Sequence, residues 1–143
     1  MSRNTAGWGR AAFSIAAGLG ASLLIIMLGD EISATVAPLP VGVDPHDAEA
    51  LRAVMDQIPV FGFVVLLAAL VLGGAGGAWV AARLSRSAHQ RNAMIVGALL
   101  WAATIVNLLT LPHPVWFAVV AVLIVLPAAW LGGRMATRSM RAA

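Results

Sequence analysis

Four uninterrupted apolar runs constrain this sequence more than any other feature. They lie at 11–29, 60–82, 93–111 and 115–133, and none contains a charged residue or a histidine. At ~1.5 Å per helical residue, each is long enough to cross the ~30 Å hydrocarbon core of a bilayer. Because lipid offers no partner to backbone N–H and C=O groups, spans of this length form helices. The sequence therefore predicts an all-α polytopic membrane protein, with four transmembrane helices in one domain, 1–143.

Charge is segregated along the chain. All six acidic residues lie between positions 30 and 56, whereas eight of the nine arginines lie outside that window. The arginines flank run ends that would share one membrane face, which the positive-inside bias assigns to the cytoplasm. We therefore expect both termini in the cytoplasm and an acidic outer loop at 30–58. The same segregation argues against a nucleic-acid partner, despite a pI near 11.5.

The first apolar run has a second interpretation, as a secretory signal peptide. Arg3 and Arg10 precede it, as basic residues precede the core of such a signal. The run is longer than the usual ~7–15 residue core, however, and the nearest small-residue cleavage sequence, around 34–37, is poor. We expect the first helix to be retained.

The outer loop opens with a proline-rich stretch and then predicts a short helix. In "DPHDAEALRAVMDQIP", Asp44 suits the N-cap, Pro45 the first helical position and Pro59 the end. Four apolar side chains share one face of this helix: Leu51, Val54, Met55 and Ile58. We expect this amphipathic helix to lie at the outer boundary between membrane and water.

The second and fourth runs resemble each other at both ends. "AWVAARLSRS" at 78–87 matches "AWLGGRMATR" at 129–138, and "PVFGFVV" at 59–65 matches "PVWFAVV" at 114–120. The match predicts two helical hairpins related by a parallel repeat, with the acidic loop inserted into the first. The alternative is that Trp and Arg recur wherever a helix ends at this face.

Small residues in the spans form rows that allow close helix contact. The stretch "GGAGGAW" at 73–79 fits neither of two phosphate-binding glycine motifs. The motif G-x-G-x-x-G would need glycine at position 79, which is Trp79, and the P-loop motif needs a lysine, which the chain does not have. On helices, the rows are Ala69, Gly73, Gly77 and Ala81, with Gly74 and Ala78 beside them; Ser14, Gly18 and Ser22; and Ala128 and Gly132. Packing within one bundle explains these rows. A second hypothesis is that one row of the second run faces another chain.

Residues for chemistry are scarce. The predicted spans contain no catalytic nucleophile with a general base beside it, and no series of titratable residues that could pass protons. We therefore expect neither an enzyme nor a cofactor. Asn107 is the most demanding polar residue in a span, and interhelical hydrogen bonding is its simplest role, with a ligand contact as the alternative. His46, Asp47 and His113 are weak candidates for a metal site, because their spacing matches no ligand motif.

The runs "GGAGGAWVAARL", "NLLTLPHPVWF" and "LPAAWLGGRMA" resemble those of small four-helix bacterial inner-membrane proteins with a proline-rich outer loop after the first helix. The resemblance covers most of the chain and implies a fold and a bacterial inner-membrane location, without an activity. We expect a non-enzymatic accessory or assembly subunit of a larger inner-membrane complex, or a small homo-oligomer, whose partners are lipid and other membrane subunits or copies of itself. The alternative is a small permeation or transport protein with a polar path between subunits.

Overall fold

The computed structural model describes residues 3–142, with side chains from residue 8 onward. Its described part is all-α, with the helices α1 (Arg3–Val36), α2 (Ala48–Val54), α3 (Val60–Leu84), α4 (His89–Thr110) and α5 (Val115–Arg141). A 3-10 turn, Met55–Gln57, follows α2. Four of these helices, all but α2, are long and apolar enough to cross a membrane. This architecture indicates a membrane protein, as the apolar runs predict.

Helix α3 lies at the centre of the bundle. It contacts α1, α4 and α5, whereas α1 makes its main contacts with α3 alone. Helix α1 runs antiparallel to α3, since Ser14 lies near Ser85 and Ser33 near Gly62. The end of the bundle that carries the 37–59 connection is called the loop end below. The opposite end, where Arg83 and Arg134 lie, is called the arginine end.

Helix α1 continues beyond the predicted end of the first span. The acidic loop was expected to begin at Asp30, but the helix extends through Asp30 and Glu31 to Val36. No proline interrupts this segment, and the chain leaves the helix only at Ala37, where the following Pro38 disfavours helical backbone. The apolar helix Trp8–Val36 therefore includes Asp30, one residue beyond the predicted span, and where the membrane boundary crosses it stays a prediction.

Helix α2 begins later than the sequence predicts. Asp47, not Asp44, is its N-cap, and the Asp47 carboxylate accepts hydrogen bonds from the backbone N–H groups of Glu49 and Ala50, at 2.9 and 3.2 Å. Asp44 accepts instead from the N–H of His46, at 2.8 Å, and closes a turn before the helix. Asp44 therefore closes a turn, and Asp47 begins the helix three residues later.

The apolar side of the loop segment rests on the bundle. Leu51 is buried, and Met55 and Ile58 pack against a cluster formed by Phe63 and Phe117 with Ala121. These contacts cover the loop end of α3 and α5. Whether the segment also lies at a membrane boundary stays a prediction.

Helices α3 and α5 run in the same direction and begin alike. Pro59 and Pro114 are their N-caps, with φ and ψ of −60° and 136° for the first and −58° and 140° for the second. Near the arginine end, the guanidinium of Arg83 lies 5.0 Å from the ring centroid of Trp79. The same pair recurs in α5, where Arg134 lies 4.7 Å from Trp130.

Candidate functional site

Hydroxyl groups join α1 to α3 at two glycines. The Ser22 hydroxyl donates a hydrogen bond to the carbonyl oxygen of Gly73 at 2.9 Å, and the Ser33 hydroxyl donates to that of Gly62 at 3.1 Å. The two serines are eleven residues apart, as are the two glycines, and eleven residues are about three helical turns. Both bonds therefore lie on one face of each helix, and the absent glycine side chains leave the carbonyls accessible.

The same seam excludes larger side chains. A Cβ placed on Gly18 would lie 2.6 Å from the carbonyl oxygen of Gly77, and one on Gly77 would overlap the Ser22 hydroxyl. A Cβ on Gly73 would lie 2.8 Å from Cγ1 of Ile26. Real Cβ atoms do not approach other atoms this closely, so these three positions require glycine for the observed approach of the helices.

The second row of α3 faces α5 and α4. A Cβ on Gly132 would overlap the backbone of Ala75, while one on Gly74 would make an ordinary contact with Ala128, at 3.6 Å. The α3 residues of both predicted rows are buried, namely Ala69, Gly73, Gly74, Gly77, Ala78 and Ala81. Both rows are thus covered by helices of this chain. A contact with another chain would have to use a different face.

Alanines fill the arginine half of the bundle. Ala78 and Ala82 of α3, Ala93 of α4, and Ala129 and Ala136 of α5 form one cluster in which every residue is fully buried. Small side chains allow the three backbones to approach closely. Helices α3, α4 and α5 are therefore closely packed at this cluster.

A buried polar cluster ties α1 to α4 near the arginine end. The side-chain amide of Asn92 donates hydrogen bonds to the hydroxyls of Ser85, at 2.7 Å, and Ser14, at 3.1 Å. Each serine in turn donates to a backbone carbonyl, of Ala81 and Ala11 respectively. The Asn92 Oδ1 atom is buried without a hydrogen-bond partner among the described residues. Sequence reasoning identified Ser14 as a packing residue and missed Asn92 and Ser85, because both fall just outside the predicted spans.

A cavity of about 210 Å³ lies between α1, α3 and α4 in the loop half. Its polar lining residues are Asp30, Thr104, Asn107 and His113, and its apolar ones are Leu23, Ile26, Leu66, Leu70, Leu100, Ala103, Leu108 and Phe117. The exposed members all belong to α1 and α4, so the cavity opens between these two helices. Its polar lining residues come from separate parts of the sequence. Of these, the sequence analysis identifies only Asn107 and His113 as candidate site residues.

The polar groups of this cavity differ in their partners. Thr104 is buried and donates to the carbonyl of Leu100 in its own helix, at 2.9 Å. Asp30 has no hydrogen bond or salt bridge to another described residue. Asn107 is exposed at the cavity mouth, although interhelical bonding was its expected role.

His113 forms one wall of the cavity from the connection between α4 and α5. Its ring stacks on Phe117 with the centroids 5.1 Å apart, and Nδ1 lies 2.9 Å from the carbonyl oxygen of Leu111. Because a carbonyl only accepts, Nδ1 carries the hydrogen and Nε2 is free to accept. Burial lowers the pKa of His113 below its usual value of about 6.5, an effect that the bond to Leu111 opposes. The imidazole is therefore neutral near neutral pH.

The weak metal candidates do not form a ligand group. His46 lies 3.4 Å from Asp44 in an exposed pair, Asp47 caps α2, and His113 lines the cavity. Among the described residues, no three side chains of His, Cys, Asp or Glu lie close enough together to hold a metal ion.

The site thus combines a closely packed helical scaffold with a polar cavity. The scaffold fixes the separation of α1 and α3 through glycine contacts, and the cavity brings a carboxyl, an amide and a neutral imidazole near leucine side chains. No protein-family model, curated protein or solved structure matches the chain.

Proposed function

We propose that the chain is a non-enzymatic integral protein of a bacterial inner membrane, with both termini in the cytoplasm. In this proposal it is an accessory or assembly subunit of a larger membrane complex, or a small homo-oligomer, and it acts through helix packing. The observation that carries the proposal is the alanine cluster of the arginine half, where five fully buried side chains pack between three helices. Close packing of this kind suits a rigid packing partner better than a conduit.

The outer faces of the bundle are available for such packing. Because the glycine rows contact helices of the same chain, partners would meet the exposed apolar side chains that remain. Helix α1 is the least buried of the four long helices, since it borders mainly α3; its exposed residues include Phe13, Leu24, Met27 and Leu28. In a membrane this face contacts either lipid or another subunit. Because lipid tails are also apolar, the hydrophobic effect does not favour one contact over the other.

The orientation is supported by the distribution of charge between the two ends. Arg83, Arg86 and Arg134 belong to the arginine end, while Asp44, Asp47, Glu49 and Asp56 belong to the loop end. Basic residues near helix ends favour the cytoplasmic side. We accordingly assign the arginine end to the cytoplasm.

We further propose that the bundle arose from two related helical hairpins, α1 with α3 and α4 with α5. The matched proline caps and the matched Arg and Trp pairs of α3 and α5 support this duplication. Helix ends at one membrane face can acquire Trp and Arg independently, so the proline caps at the opposite end carry more weight.

The alternative is a small permeation or transport protein with a polar path between subunits. The observation that favours it is the cavity with Asp30 and Asn107 at its mouth. An ionisable residue within a span is a usual mark of a substrate or ion pathway. In this account the path would form only where the mouths of neighbouring chains meet.

Purification and flux measurements separate the two proposals. The chain is extracted at native expression in mild detergent, accompanying subunits are identified by mass spectrometry, and solute flux is measured in liposomes. Recovery with a larger complex, without flux, is the result expected for an accessory subunit. Solute-dependent flux that disappears in Asn107→Leu would overturn that assignment in favour of permeation.

A further inference from the structure

The cavity between α1, α3 and α4 carries one acidic group and no basic one at neutral pH. Asp30 is the single carboxyl among its lining residues, and none of them is an arginine. His113, the other titratable lining residue, is neutral near neutral pH because burial lowers its pKa. The electrostatic character of the cavity therefore favours a cation over an anion.

Asp30 lies on the exposed side of α1, at the cavity mouth and away from the ends of the neighbouring apolar helix α3. Its neighbour Gly29 contacts Ala69, and Ser33 bonds to Gly62, so Asp30 lies beside the second and third turns of α3. That position is about 10 Å from the start of α3, at ~1.5 Å per residue. A carboxyl at this depth is costly unless it meets a partner, and no described residue supplies one.

The rest of the cavity suits an apolar tail. Leucines line it on α1, α3 and α4, and it opens between α1 and α4 at Leu23, Asp30, Ala103 and Asn107. Its volume of about 210 Å³ is below the ~300 Å³ at which pockets begin to enclose a whole drug-sized ligand. A ligand would thus place its head and the first part of its tail inside, with the remainder between α1 and α4.

We propose that this cavity binds an amphiphile whose head is a protonated primary amine. The ammonium donates to the Asp30 carboxylate and to the Asn107 side-chain oxygen, and the tail lies along the leucines. The same chemistry occurs in a free alkylammonium and in an amine-headed lipid such as phosphatidylethanolamine. This site does not depend on which membrane complex, if any, includes the chain.

The test uses the full chain purified in a non-ionic detergent. Decylammonium is compared with decanol, which has the same tail and no charge, by native mass spectrometry and thermal stability. We expect one decylammonium per chain, a raised melting temperature, and at least tenfold weaker binding of decanol. Asp30→Asn should weaken decylammonium binding at least tenfold. Glu31→Gln removes the adjacent charge, which is not part of the cavity lining, and should weaken binding far less than Asp30→Asn does.

Two further experiments identify which amine the chain binds in a membrane and provide a second variant in case Asp30→Asn does not fold. Chain reconstituted in phosphatidylethanolamine should retain a lipid that decylammonium displaces, whereas phosphatidylcholine, whose head has no N–H, should not be retained. If Asp30→Asn does not fold, Ala103→Phe fills the mouth with the carboxyl intact and should also abolish binding. Equal binding of decanol, undiminished binding in a folded Asp30→Asn, or no binding of either amine by the wild-type chain would overturn the proposal.

Discussion

The hydroxyl of Ser22 donates a hydrogen bond to the carbonyl oxygen of Gly73 at 2.9 Å, across the seam between α1 and α3. The neighbouring Gly77 provides the space that this approach requires. The seam is therefore held by two effects with different energies. Close backbone contact contributes dispersion along the helix, and the hydroxyl contributes a single directional bond.

Gly77→Leu should destabilise the monomer strongly. The new side chain would overlap the Ser22 hydroxyl and the Gly18 carbonyl, so α1 must move away from α3, at a cost of about 1–3 kcal/mol or more. Thermal unfolding in detergent measures the loss. Leu72→Phe is the matched control, because Leu72 is 62% exposed on the same helix and its replacement should change stability by no more than about 0.5 kcal/mol. Equal stability of the two variants would show that the seam is not closely packed.

Ser22→Ala should have a much smaller effect than Gly77→Leu. Interhelical side-chain hydrogen bonds in membranes contribute on average about 0.6 kcal/mol, and alanine leaves the backbone contact intact. Thr35→Ala is the control, since the Thr35 hydroxyl bonds within its own helix, to Glu31, at an exposed position. A loss for Ser22→Ala as large as that for Gly77→Leu would mean that the hydroxyl, not the backbone approach, holds α1 in place.

Much of this fold is predictable from the sequence, because lipid permits few alternatives to apolar helices of sufficient length. The ends of the helices are harder to predict. Asp30 and Glu31 looked like the start of a loop, yet two charges do not end a helix that lacks a nearby proline, and α1 continues to Val36. The cavity could not be anticipated, because it joins Asp30, Asn107 and His113 from segments whose proximity depends on how four helices pack.

Asn92→Ala should destabilise the arginine end. The substitution removes two hydrogen bonds from a fully buried side chain and leaves a space between Ser14 and Ser85, with an expected cost of about 1–3 kcal/mol. Asn107→Ala makes the same change on the same helix at an exposed position, so its cost should be below that of Asn92→Ala. Thermal unfolding of the two variants gives the comparison, and the reverse order would contradict the assigned network.

The stability of the folded chain should decrease as pH is lowered, because His113 becomes protonated. Burial lowers the pKa of this residue in the folded state, so the unfolded chain binds the proton more tightly. The contribution is fully present above the unfolded value of about 6.5 and is lost as pH falls below it, toward the lower folded pKa. Melting temperatures across this range, compared with those of His113→Gln, isolate the effect. An identical pH dependence in the variant would exclude His113 as its source.

The proposed orientation predicts opposite labelling of the two ends. A cysteine at Val41, which is fully exposed in the loop, should react with an impermeant reagent in intact cells. A cysteine at Ser87, exposed between α3 and α4, should react only after the cells are opened. The chain has no native cysteine to interfere. The reverse pattern would place the arginine end outside.

The mass of the particle extracted at native expression tests most directly whether this chain acts by packing with other subunits. Native mass spectrometry in mild detergent compares that mass with the 14.8 kDa of a single chain. Our account predicts a heavier particle, composed either of several copies or of this chain with other membrane proteins, and no solute flux when it is reconstituted. A 14.8 kDa monomer that carries solute flux by itself would contradict it.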